Sequence, residues 1–269
     1  MIATHGIIQS GASYVGPLDA YQSLLSGGIS FSRRLFTSYT ANKAFRVRRS
    51  SDSTELDIGF TAMGLTDTTA LLTFCGGGDG FVVTAYDQLG GNNFSQSTAT
   101  LQPKIVSAGS VLTYNGAPAA VGDGVNDYLA ASSSANWGTA SIVMVMSVIS
   151  GAGTSNKFFA GASLNAYGWC YLSGAYYSGT SLSCGAYSNG DGAVFGANMN
   201  GASTYLRNQA ATTSGNGGAG GSGTATIFGR SNAEWSNIAI NELLWVGGSV
   251  LSNGNLDAIC AAQRGAFGL

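Results

Sequence analysis

Beyond Ile105 the chain is a succession of short apolar runs, each closed by Gly, Asn or Ser, and that rhythm leaves few folds open. Short strands returning between turn residues are the signature of a sandwich or barrel. The predicted strands are Val111–Tyr114, Ala119–Val121, Tyr128–Ala130, Ser141–Ile149, Lys157–Ala162, Gly168–Leu172, Ser181–Ala186, Ala193–Met199, Ser203–Arg207, Thr224–Phe228 and Asn237–Val246. Ile142–Ile149 is apolar almost throughout, which predicts a central strand covered on both faces. Thr212–Gly223, rich in Gly, Ser and Asn, reads as a flexible loop.

Upstream the pattern is mixed. Residues 1–17 show no clear amphipathic period and read as an arm; residues 18–269 read as a single β-sandwich domain. Ala20–Leu25 and Phe31–Tyr39 suggest short helical turns, because Phe31, Leu35 and Tyr39 recur every fourth residue. Strands are predicted at Phe45–Arg49, Leu56–Phe60 and Phe81–Tyr86. Asp67 is placed to cap a short helix through Ala70–Cys75 that Gly76 stops. A last helix follows Ser252 or Asn253, with Leu256, Ile259 and Cys260 as its apolar stripe and Gly265 as its end.

The charge pattern excludes several functions. Charged residues are 9% of the chain and the net charge is −2, so the polar surface is built mainly of neutral groups. Such a surface suits permanent packing among neighbours, because desolvating charge is costly, or neutral hydrogen bonding to sugars. The basic stretch Arg33, Arg34, Lys43, Arg46, Arg48 and Arg49 is local and alternates as one strand face. It reads as a solvated face or an inter-subunit ion-pair patch, and nucleic acid is not expected as a partner. The start, Met1-Ile-Ala-Thr-His-Gly, lacks the basic and apolar regions of a secretion signal. No apolar run predicts membrane insertion. Cys75, Cys170, Cys184 and Cys260 match no zinc spacing; Cys170 and Cys184 can pair if their strands are adjacent, and otherwise all four are buried thiols. Gly76-Gly77-Gly78-Asp79-Gly80 lacks the Lys of a phosphate loop, and no cofactor is expected.

Two stretches carry a resemblance. Leu18-Asp19-Ala20-Tyr21, Arg46-Val47-Arg48-Arg49-Ser50-Ser51-Asp52, Leu56-Asp57-Ile58-Gly59-Phe60, and Tyr86-Asp87-Gln88 with Gly90-Gly91-Asn92-Asn93 resemble the catalytic domain of the arabinofuranosidase B family. Gly122-Asp123-Gly124-Val125-Asn126-Asp127-Tyr128-Leu129, Ile227-Phe228-Gly229-Arg230 and Ile240-Asn241-Glu242-Leu243-Leu244-Trp245 resemble laminin-G-like jelly rolls. The resemblance divides the domain into an arabinofuranosidase-like part, 18–106, and a laminin-G-like part, 107–269. It implies a mostly β, concanavalin A-like jelly-roll β-sandwich with a few short helices. The combination also resembles proteins encoded in phage genomes and prophages.

The resemblance implies retaining glycosidase chemistry, which needs two neighbouring carboxyl groups. The stretch matching the family's nucleophile strand, Leu172–Gly179, holds no acid, and Arg230-Ser231-Asn232 follows Gly229 where the family places its acid/base Asp. The vicinal cysteine pair of the family's sugar pocket is missing too. A Ser/His pair is not available, since His5 is the one histidine. Hence no catalytic residue is expected. The expected role is a non-catalytic phage virion structural protein, a capsid decoration or tail-fibre component. It would be made in the host cytoplasm and partnered by other virion proteins, by its own copies and by host surface glycans. The alternative is a carbohydrate-binding, lectin-like module, with an active arabinofuranosidase third. Trp169, Tyr171, Tyr176 and Tyr177 are the candidate sugar platform, unless they fill the core. Asp123, Asn126 and Asp127 offer hard oxygens for calcium, or the side-chain bonds of a tight turn.

Overall fold

The computed structural model describes residues 14–154, 156–161, 169–177, 180–218, 221–230 and 234–269. Most of the predicted arm, up to residue 13, lies outside the described residues. Antiparallel strands form two stacked layers.

In one layer Thr139–Val148 runs between Gly192–Asn200 and Ile238–Gly247. Thr204–Asn208 and Ala211–Gly215 extend it beyond Gly192–Asn200. Gly27–Ser30 and Ala120–Val121 share the outer edge of Ile238–Gly247. The other layer runs from Ser181–Ser183 through Ala175–Tyr177, Trp169–Tyr171, Lys157–Ala160, Ser222–Ile227 and Leu129–Asn136 to Phe94–Ser95. Gly80–Ala85, Phe45–Arg49 and Glu55–Ile58 complete it. Lys104–Ser107 pairs with Gly80–Ala85 and with Ala120–Val121, joining the layers. The fold is a mostly β, jelly-roll sandwich with few helices.

Two apolar clusters explain why Thr139–Val148 is apolar on both faces. Ile142, Met144 and Met146 point between the layers, with Phe45, Phe94, Phe158, Phe195 and Trp245. Val143 and Val145 point the other way, to Leu256, Ile259 and Cys260 of the helix Asn253–Phe267. Ser252 caps that helix by accepting from the N–H of Asn255 at 3.1 Å. Gly265 lies inside it and does not end it; the left-handed residue is Gly268, at φ 68°. Asp67 caps the helix Thr68–Cys75 through the N–H of Ala70 at 2.9 Å.

Two predicted elements are corrected. Phe31–Tyr39 forms no helical turn: Phe31 joins the inter-layer core and Leu35 the outer cluster, so the four-residue spacing serves two different surfaces. Thr212–Gly223 is not one loop, because Ala211–Gly215 pairs with Thr204–Asn208 and Ser222 opens the next strand. All four cysteines are free and buried. Cys170 and Cys184 are separated by the intervening strand Ala175–Tyr177. No helix among the described residues is long and apolar enough to cross a membrane.

The strand Ile238–Gly247 holds a bulge. Val145 pairs with Glu242 but Met146 pairs with Ile240, so Asn241 is the extra residue. The inward positions therefore switch from Ile238 and Ile240 to Leu243 and Trp245. Two polar side chains fill the switch. Asn241 accepts from Asn115 Nδ2 at 2.9 Å and donates to Tyr114 O at 3.0 Å. Glu242, fully buried, accepts from Arg33 Nε at 2.8 Å, Ser30 Oγ at 3.1 Å and Gln263 Nε2 at 2.7 Å.

Candidate functional site

The four aromatics of the expected sugar platform fall on neighbouring strands, with Trp169 opposite Tyr177 and Cys170 opposite Tyr176. Tyr176 is fully buried in the core with Cys170, so it presents no face to a sugar. Tyr171 is half-buried, and the Lys157 ammonium lies 4.8 Å from its ring centroid. The side chains of Trp169 and Tyr177 lie outside the described residues.

Leu172–Gly174 is the turn between Trp169–Tyr171 and Ala175–Tyr177. Ile227 ends its strand, and Phe228 follows at φ 69°. Beside this end lies an acid that sequence comparison passes over, Glu234. It is ion-paired to the buried Lys157, and Arg230 Nη2 lies 3.4 Å from its carboxylate. Burial pushes the Lys157 ammonium below its usual range, and Glu234 pulls it back.

A cleft of about 660 Å³ opens elsewhere, where Lys104–Ser107 joins the two layers. Arg48, Phe81, Gln102, Lys104, Asp123, Asp127 and Asn237 are among its walls. One edge is the turn Gly122–Asp127. Asp123 Oδ1 accepts from the N–H groups of Val125 at 2.7 Å, Asn126 at 3.1 Å and Asp127 at 3.3 Å. Asp127 Oδ2 accepts in return from the Asp123 N–H at 3.1 Å. Gly124 takes φ 74°, a conformation that a Cβ would strain. Asp123 Oδ1 is thus engaged by the backbone donors of its own turn. No group of three His, Cys, Asp or Glu among the described residues is arranged to hold a metal.

The two carboxyl groups occupy different environments. Asp123 is exposed and Asp127 is buried. Burial, reinforced by the charge of Asp123, pushes the Asp127 carboxyl up to about 7, against the Asp123 N–H bond and Lys104. A protonated acid beside an open carboxylate is the arrangement that acid-assisted hydrolysis uses. The basic stretch around it is largely self-neutralised: Asp57 pairs with Arg46 at 2.7 Å and with Lys43 at 2.8 Å, and Asp52 pairs with Arg49 at 2.6 Å.

Residues 20–126 match the family model of the alpha-L-arabinofuranosidase B catalytic domain. Among solved structures, a GH54 α-L-arabinofuranosidase soaked with 4-nitrophenyl α-L-arabinofuranoside is 15% identical, with a TM-score of 0.65. An arabinofuranosidase complexed with arabinofuranosyl-α-1,2-xylobiose is 16% identical, also at 0.65. A GH54 structure with a cyclic sulfate inhibitor is 17% identical, at 0.64. The likeness covers 92% of this chain in each case, and the chain spans 64% of the length of those structures. No curated protein matches the chain in sequence. These findings correct the expectation of a non-catalytic virion structural protein: a glycosidase catalytic-domain model matches residues 20–126, and arabinofuranosidases share the fold over most of the chain.

Proposed function

We propose that the chain is a glycoside hydrolase acting on arabinofuranosyl-bearing glycans, with the Asp123–Asp127 cleft as its catalytic site. The observation that carries the hydrolase reading is the family match over residues 20–126. The match stops short of Asp127 and of Leu172–Gly179 and Arg230-Ser231-Asn232, where the resemblance places the family's own carboxyl groups, so the choice of cleft rests on its Asp123–Asp127 pair. Glycoside hydrolysis needs an acid to protonate the leaving oxygen and a carboxylate facing the oxocarbenium-like transition state. Asp127, holding its proton up to about pH 7, supplies the first. Asp123, at the open edge of the same cleft, supplies the second.

The test is release of nitrophenolate from 4-nitrophenyl α-L-arabinofuranoside. Asp127→Asn is expected to lower kcat by about 10²–10⁴-fold, the usual worth of a positioned general acid. Wild-type turnover falls as pH rises through about 7, where Asp127 loses its proton. Glu234→Gln is expected to stay within a few-fold of wild type. Loss of activity in Glu234→Gln but not in Asp127→Asn would move the chemistry to the Lys157–Glu234 end of the sandwich, and no turnover at all defeats the proposal.

A further inference from the structure

The strand Phe45–Arg49 carries three arginines whose partners differ. Arg46 grips Asp57 with Nε at 2.7 Å and Nη2 at 3.2 Å. Arg49 grips Asp52 with Nε at 2.8 Å and Nη2 at 2.6 Å. Arg48, which lines the cleft, meets neutral acceptors: Nε donates to Gln102 Oε1 at 2.8 Å and Nη2 to Ala99 O at 3.1 Å. Among the described residues no carboxylate lies within ion-pair distance of it.

The guanidinium is nonetheless held firmly. Gln102 is buried, and its Nε2 donates to Gln96 O at 2.8 Å, which leaves Oε1 for Arg48. The Phe81 ring lies against the cation, with Cζ 4.8 Å from its centroid. Lys104 places a second ammonium 5.5 Å from the same ring and is balanced by Asp79 at 2.8 Å. Arg48 is thus oriented by an amide, a carbonyl and a ring, and its Nη1 has no acceptor among the described residues.

With Nε and Nη2 already donating, Nη1 is left to meet an anion, and holding the cation in place beforehand removes part of the ordering cost of binding. A hydrogen bond from a charged donor is strongest when the acceptor is itself ionised. We infer that the cleft takes a glycan bearing a carboxylate, a uronosyl unit beside the bond that is cut, and that Arg48 selects it. The inference rests on the cleft being the glycan site proposed above.

Equilibrium binding tests it without requiring turnover. By titration calorimetry, wild-type protein is expected to bind trigalacturonic acid about tenfold or more tightly than its fully methyl-esterified form, the usual worth of a charge-assisted hydrogen bond. Added salt narrows the gap. Arg48→Gln, with folding checked by circular dichroism, loses the gap, and Arg48→Lys keeps only part of it, having the charge without the anchoring bonds to Gln102 and Ala99. Equal affinities in wild type, a gap that survives Arg48→Gln, or no binding of either sugar overturns the inference. Turnover of the neutral aryl arabinofuranoside is read separately. Turnover without acid preference removes the uronosyl inference and leaves the hydrolase; acid preference without turnover removes the hydrolase and leaves Arg48 as the anion-binding residue.

Discussion

Asp127→Asn probes the cleft through stability alone. Burial and the neighbouring Asp123 raise the Asp127 carboxyl from the ordinary 3.8 to about 7. The side chain belongs to a residue only 7% exposed, so water in the cleft screens only a small part of the effect. A tenfold change in proton affinity corresponds to about 1.36 kcal/mol, so ionising Asp127 costs the folded state roughly 3–4 kcal/mol. The folded protein binds this proton more tightly than the unfolded chain does. Its contribution is therefore fully present below pH about 4, declines between about 4 and 7, and is gone above that window. Asparagine does not ionise, and its amide oxygen can still accept the Asp123 N–H. Urea unfolding of both proteins from pH 4 to 8 is expected to show near-equal stability at pH 4. At pH 8 the variant is expected to be more stable by roughly 3–4 kcal/mol. A difference that does not change with pH, or that grows toward acid, would refute the argument that Asp127 is a buried, proton-holding acid.

Arg33→Ala leaves the buried Glu242 carboxylate without its cation, and urea unfolding is expected to show a loss of about 3–5 kcal/mol; a loss under about 1 kcal/mol contradicts the description of that network. Gly27→Ala would place a Cβ 2.0 Å from Trp245 Cζ2, whereas a Cβ on Gly254 meets nothing within 4 Å. The first is expected to destabilise by about 1–3 kcal/mol and the second to stabilise by up to about 1 kcal/mol. Equal effects on Tm count against the packing described. Burial pushes the Cys75, Cys170, Cys184 and Cys260 thiols up, Cys260 to about 12. Ellman's reagent at pH 8 is expected to label them only after denaturation, and fast labelling of the native protein refutes it.

Local chemistry made much of the fold readable in advance. Phe45–Arg49 alternates and is a strand with those bounds; Asp67 and Ser252 cap their helices because a short side-chain oxygen reaches the free N–H groups of a first turn. What local pattern hides is which surface an apolar residue serves. Phe31 and Leu35 imitate a helical face while packing in different clusters. The run Ile238–Val246 reads as one strand, but its inward face changes sides at Asn241, and nothing short of the neighbouring register reveals that. The site was legible only as fragments. Asp123 and Asp127 were visible as a turn or a calcium pair, yet their unequal burial depends on a cleft whose other walls, Arg48, Phe81 and Gln102, are distant in sequence. Glu234 gave no signal at all, because its meaning lies in Lys157 across the sheet.

Glu242 also sets the order in which this sandwich can be finished. Its donors come from Ser30 and Arg33 at one end of the described chain and Gln263 at the other. A growing chain makes Ser30 and Arg33 before Glu242 and Gln263 after it, so the carboxylate has its cation early but lacks the amide on Oε2 until the helix Asn253–Phe267 docks. Contacts this far apart in sequence close slowly. A chain cut short of that helix would be left with Glu242 short of one donor and an apolar outer face uncovered, a marked product for chaperones and proteases to sort from the completed one.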